Sequence, residues 1–194
     1  MYDFSIGMGS EIIYSFELLY FLFALFPEDK IELAYNIITI LRFYVAGISF
    51  SVLCFYFKKE TFAALIGSMV YVFSSFALYG GARHTMFMVP MILLPLLIAA
   101  MEELLFKKKW HLFTVLVAVS LFSNYYYLYM STIGLGAYFL VRYFCQKESK
   151  SFWDFIKKGL TICGSYLLGV AMASIILVCN FGQYVGSGRS GSAI

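Results

Sequence analysis

At 194 residues, with 62% hydrophobic and only 13% charged side chains, the chain carries more apolar surface than a core of that size can hide, which excludes a soluble globular domain. Its 21 Phe, 16 Tyr and 2 Trp are the opposite of a disordered composition. A formal net charge of +3, from basic residues that form no stripe interleaved with aromatics, indicates no nucleic-acid partner and leaves the lipid bilayer as the surroundings.

The N-terminal segment Met1 to Gly7 has no basic residue, and the first Lys or Arg is Lys30, so no signal peptide is visible. Residues 11–26 are apolar but short and contain Glu11 and Glu17, a pattern that predicts a re-entrant or interfacial helix rather than a crossing. A crossing helix needs about 20 mostly apolar residues at a rise of ~1.5 Å each, because lipid offers an open backbone no hydrogen-bond partner. Residues 34–57 meet that requirement between the acidic turn after Pro27 and Lys58-Lys59, and 61–80 meet it next. The third span, 86–106, contains Pro90 and Pro95, which predict a kink or broken first turns with neighbouring helices satisfying the freed carbonyls. Residues 110–144 are too many for one span and too few for two full ones, so two helices, the first short, are expected to meet near Asn124. A last span is expected over about 159–179, before a Gly/Ser-rich tail.

The predicted fold is therefore all-α: a polytopic transmembrane bundle of about five or six helices, with 1–194 as a single transmembrane helical domain. Both ends are abrupt, which points to a segment of a longer protein. Lys58, Lys59, Lys107, Lys108, Lys109, Arg142, Lys147, Lys150, Lys157 and Lys158 fall on one side, ten of the fourteen basic residues. That side is expected to be cytoplasmic. The Arg83-His84 loop, the Asn124 corner and the tail then face outward.

Few residues stand out chemically. Arg42 lies within a span, about 12 Å from Ala34 at ~1.5 Å per residue. Three readings are open for it: snorkelling outward, pairing with Glu17, or a direct role with phosphate. Arg83-His84, after Gly80-Gly81, is either a solvated turn or a grip on the phosphate of a lipid-linked substrate. Arg189, set among Gly and Ser, resembles a phosphate cradle in composition, although no P-loop Lys-Ser/Thr follows it. Asn124, Tyr125 and Tyr126 are either interfacial anchors or a sugar-stacking platform. Trp110-His111 reads as an interfacial belt. Cys54, Cys145, Cys163 and Cys179 stand singly without ligand spacing and read as packing residues. No cofactor motif is present, and a divalent metal is left open. Apart from Arg42 and Glu17, ionisable groups inside the membrane look scarce, which speaks against an ion pathway.

Residues Tyr2 to Ser10, Leu18 to Pro27, Ile31 to Tyr35, Arg42 to Phe50, Leu94 to Leu97 with Glu102, Ser123 to Met130 and Ser187-Gly188-Arg189 occur in an order that resembles the N-terminal part of the bacterial YfhO family. The resemblance covers nearly the whole chain. It implies a GT-C type glycosyltransferase in the bacterial plasma membrane, moving a sugar from a polyprenyl-phosphate donor to a cell-envelope polymer such as lipoteichoic acid on the outer face. Arg83, His84 and Arg189 would then hold the carrier phosphate, and Asn124, Tyr125 and Tyr126 would line the sugar or acceptor cleft. The catalytic acid of such a fold is expected in the first outward loop, upstream of this sequence, which leaves Asp3 and Glu11 as fallback acids. A non-catalytic membrane scaffold or a transporter piece is the alternative.

Overall fold

The computed structural model describes residues 2–3, 8–9, 18–81, 87–123, 125–145 and 152–174. Six α-helices carry the architecture: α1 (Ile31–Tyr56), α2 (Thr61–Val72), α3 (Met88–Lys107), α4 (His111–Ser123), α5 (Tyr125–Cys145) and α6 (Phe152–Met172). The helical bundle expected from composition is what forms. α1, α3 and α6 are long and apolar enough to cross a membrane. Two smaller features precede the bundle. Strands β1 (Tyr2–Asp3) and β2 (Met8–Gly9) pair antiparallel, and Leu18–Leu25, within the described part of the stretch expected to be a re-entrant or interfacial helix, form a 3-10 helix.

α1 shows how the bundle is built. Its buried residues Ala34, Ile38, Arg42, Ala46 and Ser49 recur every three or four positions and make one stripe. Ile37, Ile40, Tyr44 and Ile48 stay exposed on its other faces, where lipid would meet them. α3 is buried much more completely and stands between two apolar clusters. On one side Met88 and Met91 join Ala46 of α1 and Val72 of α2. On the other, Leu97, Met101 and Leu104 meet Phe113 and Val117 of α4 and Leu128, Leu135 and Phe139 of α5. α6 closes on α4 through a small-residue contact: a Cβ added at Gly169 would lie 2.6 Å from the Thr114 carbonyl oxygen. One turn earlier, the Thr114 hydroxyl donates to the Ser165 carbonyl at 3.2 Å.

The prolines act differently from one another. Pro90 sits in the first turn of α3, where its missing N–H leaves no helical bond unmade. Pro95 lies inside the helix and cannot donate to the Met91 carbonyl. That carbonyl instead accepts the Tyr71 hydroxyl of α2 at 3.0 Å, and the neighbouring Ile92 carbonyl accepts the Ser49 hydroxyl of α1. The freed Met91 carbonyl is thus satisfied from α2 while the next carbonyl gains a bond from α1, and α3 runs through as one helix.

Two boundaries differ from the sequence reading. The span expected over 61–80 stops being α-helical at Val72 and resumes as a π-helical turn over Phe76–Gly81. The reason is Ser74, whose hydroxyl accepts the Ala77 N–H at 3.4 Å and caps a new turn in competition with the helix. The last span starts at Phe152 rather than near 159, so Lys157 and Lys158 lie on α6 and not in a loop. Lys158 is accommodated there by Asp154 one turn back, at 3.0 Å, and by the Tyr143 ring, 5.7 Å from its ammonium. The break expected near Asn124 falls between α4 and α5.

Candidate functional site

The bundle has two chemically distinct ends. At one of them α2 gives way to the π-helical turn, α3 begins, and α4 hands over to α5. Gly81 lies so close to Met88 that a methyl group there would overlap the methionine sulfur and force that side chain to move where the turn closes on α3. Phe87, just before α3, places its ring 6.1 Å from Phe76 of the π turn and 5.8 Å from Tyr127 of α5. Tyr127 in turn meets Tyr126 at 5.5 Å. Of the two described residues that bracket the Arg83-His84 segment, Phe87 therefore packs on Tyr127 of α5 and Gly81 packs on Met88 of α3.

Arg42 is fully buried on the interior face of α1, one turn from Ala46 on the side away from the lysines. An arginine at 0% exposure is held within protein, which excludes the snorkelling reading for this structure. Tyr126 is exposed, and Tyr125 begins α5. Asp3 lies in β1 opposite Met8. Glu11, Glu17, Arg83, His84, Asn124 and Arg189 lie outside the described residues. Among the described residues, no group of three or more His, Cys, Asp and Glu comes together as a metal-holding cluster.

The opposite end gathers the basic residues. Lys107 at the end of α3 places its ammonium 4.9 Å from the centre of the Tyr56 ring at the end of α1. Just inside it lies a polar cluster that the sequence reading missed. Glu102 of α3, 2% exposed, accepts the Arg142 Nε at 2.6 Å, the Arg142 Nη2 at 3.2 Å and the Tyr138 hydroxyl at 2.6 Å. Arg142 and Tyr138 both come from α5, one turn apart, so a forked donor and a hydroxyl meet one carboxylate. The Arg142 guanidinium also lies over the Phe106 ring, 5.2 Å from its centre. The expectation that Arg42 and Glu17 are nearly the only ionisable groups in the interior is corrected here: Glu102 is as buried as the core around it. A signal was available, since an acid five residues inside an apolar helix needs a partner.

No curated protein and no solved structure is significantly similar to the chain. A family model does match, over residues 1–194. With its helices long and apolar enough to cross a bilayer, and a match over its full extent, the chain belongs to the family described as bacterial membrane protein YfhO.

Proposed function

We propose that the chain works as part of a multi-spanning, GT-C type glycosyltransferase that moves a sugar from a polyprenyl-phosphate donor to a cell-envelope polymer of the lipoteichoic acid kind, on the outer face of the membrane. In this reading residues 1–194 act as one transmembrane unit, the lysine-rich end faces the cytoplasm and the tyrosine end faces outward. The observation that supports it most is the contact of Phe87, the described residue that follows the Arg83-His84 segment, with Tyr127, whose ring meets Tyr126 at the start of α5.

Each residue type then has a task. Arg83, His84 and Arg189 hold the carrier phosphate, for which guanidinium groups offer paired donors. Asn124, Tyr125 and Tyr126 line the sugar or acceptor cleft, with tyrosine rings against the sugar's C–H face and polar groups on its hydroxyls. The catalytic carboxylate is unassigned, and Asp3 and Glu11 are the fallback candidates for the base that takes the acceptor hydroxyl's proton as the sugar inverts. Arg42, with Glu17, stabilises the outward half of α1 from within.

The test is sugar transfer from a labelled polyprenyl-phosphate donor in membranes carrying the protein. Arg83→Ala and Arg189→Ala should each lower transfer roughly tenfold or more, the loss expected for a charge-assisted hydrogen bond to phosphate. Absence of transfer, or unchanged transfer in both variants, overturns the assignment.

A further inference from the structure

α1 and α3 run parallel, and their last residues touch through Tyr56 and Lys107. Both helices end in the same way. Lys58 and Lys108 adopt left-handed backbone at φ 54°, and the N–H groups of Lys59 and Lys109 turn back onto carbonyls of the last turn, Cys54 at 3.0 Å and Glu103 at 3.4 Å. Two lysine runs thereby follow, on ordered backbone, helix ends that meet through Tyr56 and Lys107. Lys58, Lys59, Lys107, Lys108 and Lys109 are all exposed, and Lys107 is bonded to Glu103 at 2.8 Å. Glu60 is the remaining acid of these two connections, so five ammonium groups face two carboxylates. Trp110 follows directly and is itself 42% exposed, a ring suited to headgroup depth. Phe55 and Phe106 are exposed one helical step inward, where acyl chains would lie.

We propose that the adjoining ends of α1 and α3 form a binding site for the headgroup phosphate of an anionic phospholipid in the leaflet that meets the lysine-rich end. The four lysines Lys58, Lys59, Lys108 and Lys109 supply the charge, the two left-handed turns fix where it sits, and Trp110 marks the depth of the glycerol backbone. Phosphate attracted there lies over two helix ends whose own carbonyls repel it, so the lysines are what make the site. The inference does not depend on sugar transfer.

The two tryptophans, Trp110 and Trp153, provide the measurement. In Trp153→Phe protein, Trp110 is the only indole. Reconstituted in phosphatidylcholine vesicles, it should be quenched more strongly by phosphatidylglycerol brominated near the glycerol than by phosphatidylcholine brominated at the same carbons. A relative association about fivefold in favour of the anionic lipid is expected. Lys58→Gln/Lys59→Gln/Lys108→Gln/Lys109→Gln should abolish the preference, and Lys157→Gln/Lys158→Gln on α6 should leave it intact. Should the fourfold variant fail to fold, Lys108→Gln/Lys109→Gln, checked by its thermal melt, must at least halve the preference. Equal quenching by the two lipids, or a preference unchanged in the lysine variants, overturns the site. So does loss of the preference in the Lys157/Lys158 pair, which would reveal attraction by bulk charge. Inorganic phosphate at millimolar levels should not compete; if it erases the preference, the site takes a soluble anion and the lipid assignment fails.

Discussion

Glu102 and Arg142 are bonded to each other but are not equivalent. The carboxylate is 2% exposed and depends on α5 for every bond it makes, whereas the arginine side chain is 38% exposed and can reach water or headgroups if its partner is lost. Removing the arginine therefore strands a buried charge, and removing the acid does not. Arg142→Leu should destabilise the protein by about 3–5 kcal/mol, the range for a broken buried pair. Glu102→Leu should cost about 1 kcal/mol or less, close to an exposed pair. Thermal unfolding of both variants in one detergent checks this, and equal losses would show that the two residues share their burial. Nothing local in the sequence announces the pair, because its members are 40 positions apart and Arg142 also fits a helix-end charge placed by topology alone. Arg42 was legible, since a lone cation in an apolar run has to be accounted for; its full burial was not, because that depends on tertiary packing over α1.

α3 carries the largest share of the interior while containing a proline that ought to weaken it. Tyr71 and Ser49 compensate from α2 and α1, so the three helices are joined by bonds to one stretch of backbone. If that is why Tyr71 matters, Tyr71→Phe should cost about 1 kcal/mol, the net value of a hydrogen bond. The cost should shrink in a Pro95→Ala background, where a restored N–H can occupy the Met91 carbonyl. A double-mutant cycle on thermal stability measures the coupling, and additive effects would leave the tyrosine as ordinary packing. The helices themselves followed from apolar run length, and the passage from α4 to α5 from a run too long for one span and too short for two. The end of α2 was hidden because Phe73 to Leu78 is as apolar as what precedes it, and only the Ser74 hydroxyl, bonding locally, redirects the backbone. Lys157 and Lys158 show a related effect: charge usually marks a loop, yet an acid one turn away and an aromatic ring on α5 let the helix carry Lys158.

The two ends of the bundle differ in a way that constrains how it sits in a bilayer. Ammonium groups at the ends of α1 and α3 and on α6 collect with Tyr56 and Tyr143 at one end, and Phe87, the described residue that follows Arg83-His84, collects with Tyr126 and Tyr127 at the other. Lysines are generally retained on the cytoplasmic side because moving them across the membrane is costly, so this polarity predicts an orientation. His84→Cys and Lys108→Cys, each introduced after Cys54, Cys145, Cys163 and Cys179 are replaced by Ala or Ser, report the two ends separately. A membrane-impermeant maleimide added to intact cells should modify the cysteine at position 84 and reach the one at position 108 only after permeabilisation. Sugar transfer on the outer face requires that order. If the thiol at position 108 reacts from outside, or both react equally, the aromatic corner does not face an external acceptor. Arg83 and Arg189 would then have to hold some other anion, drawn from the cytoplasm.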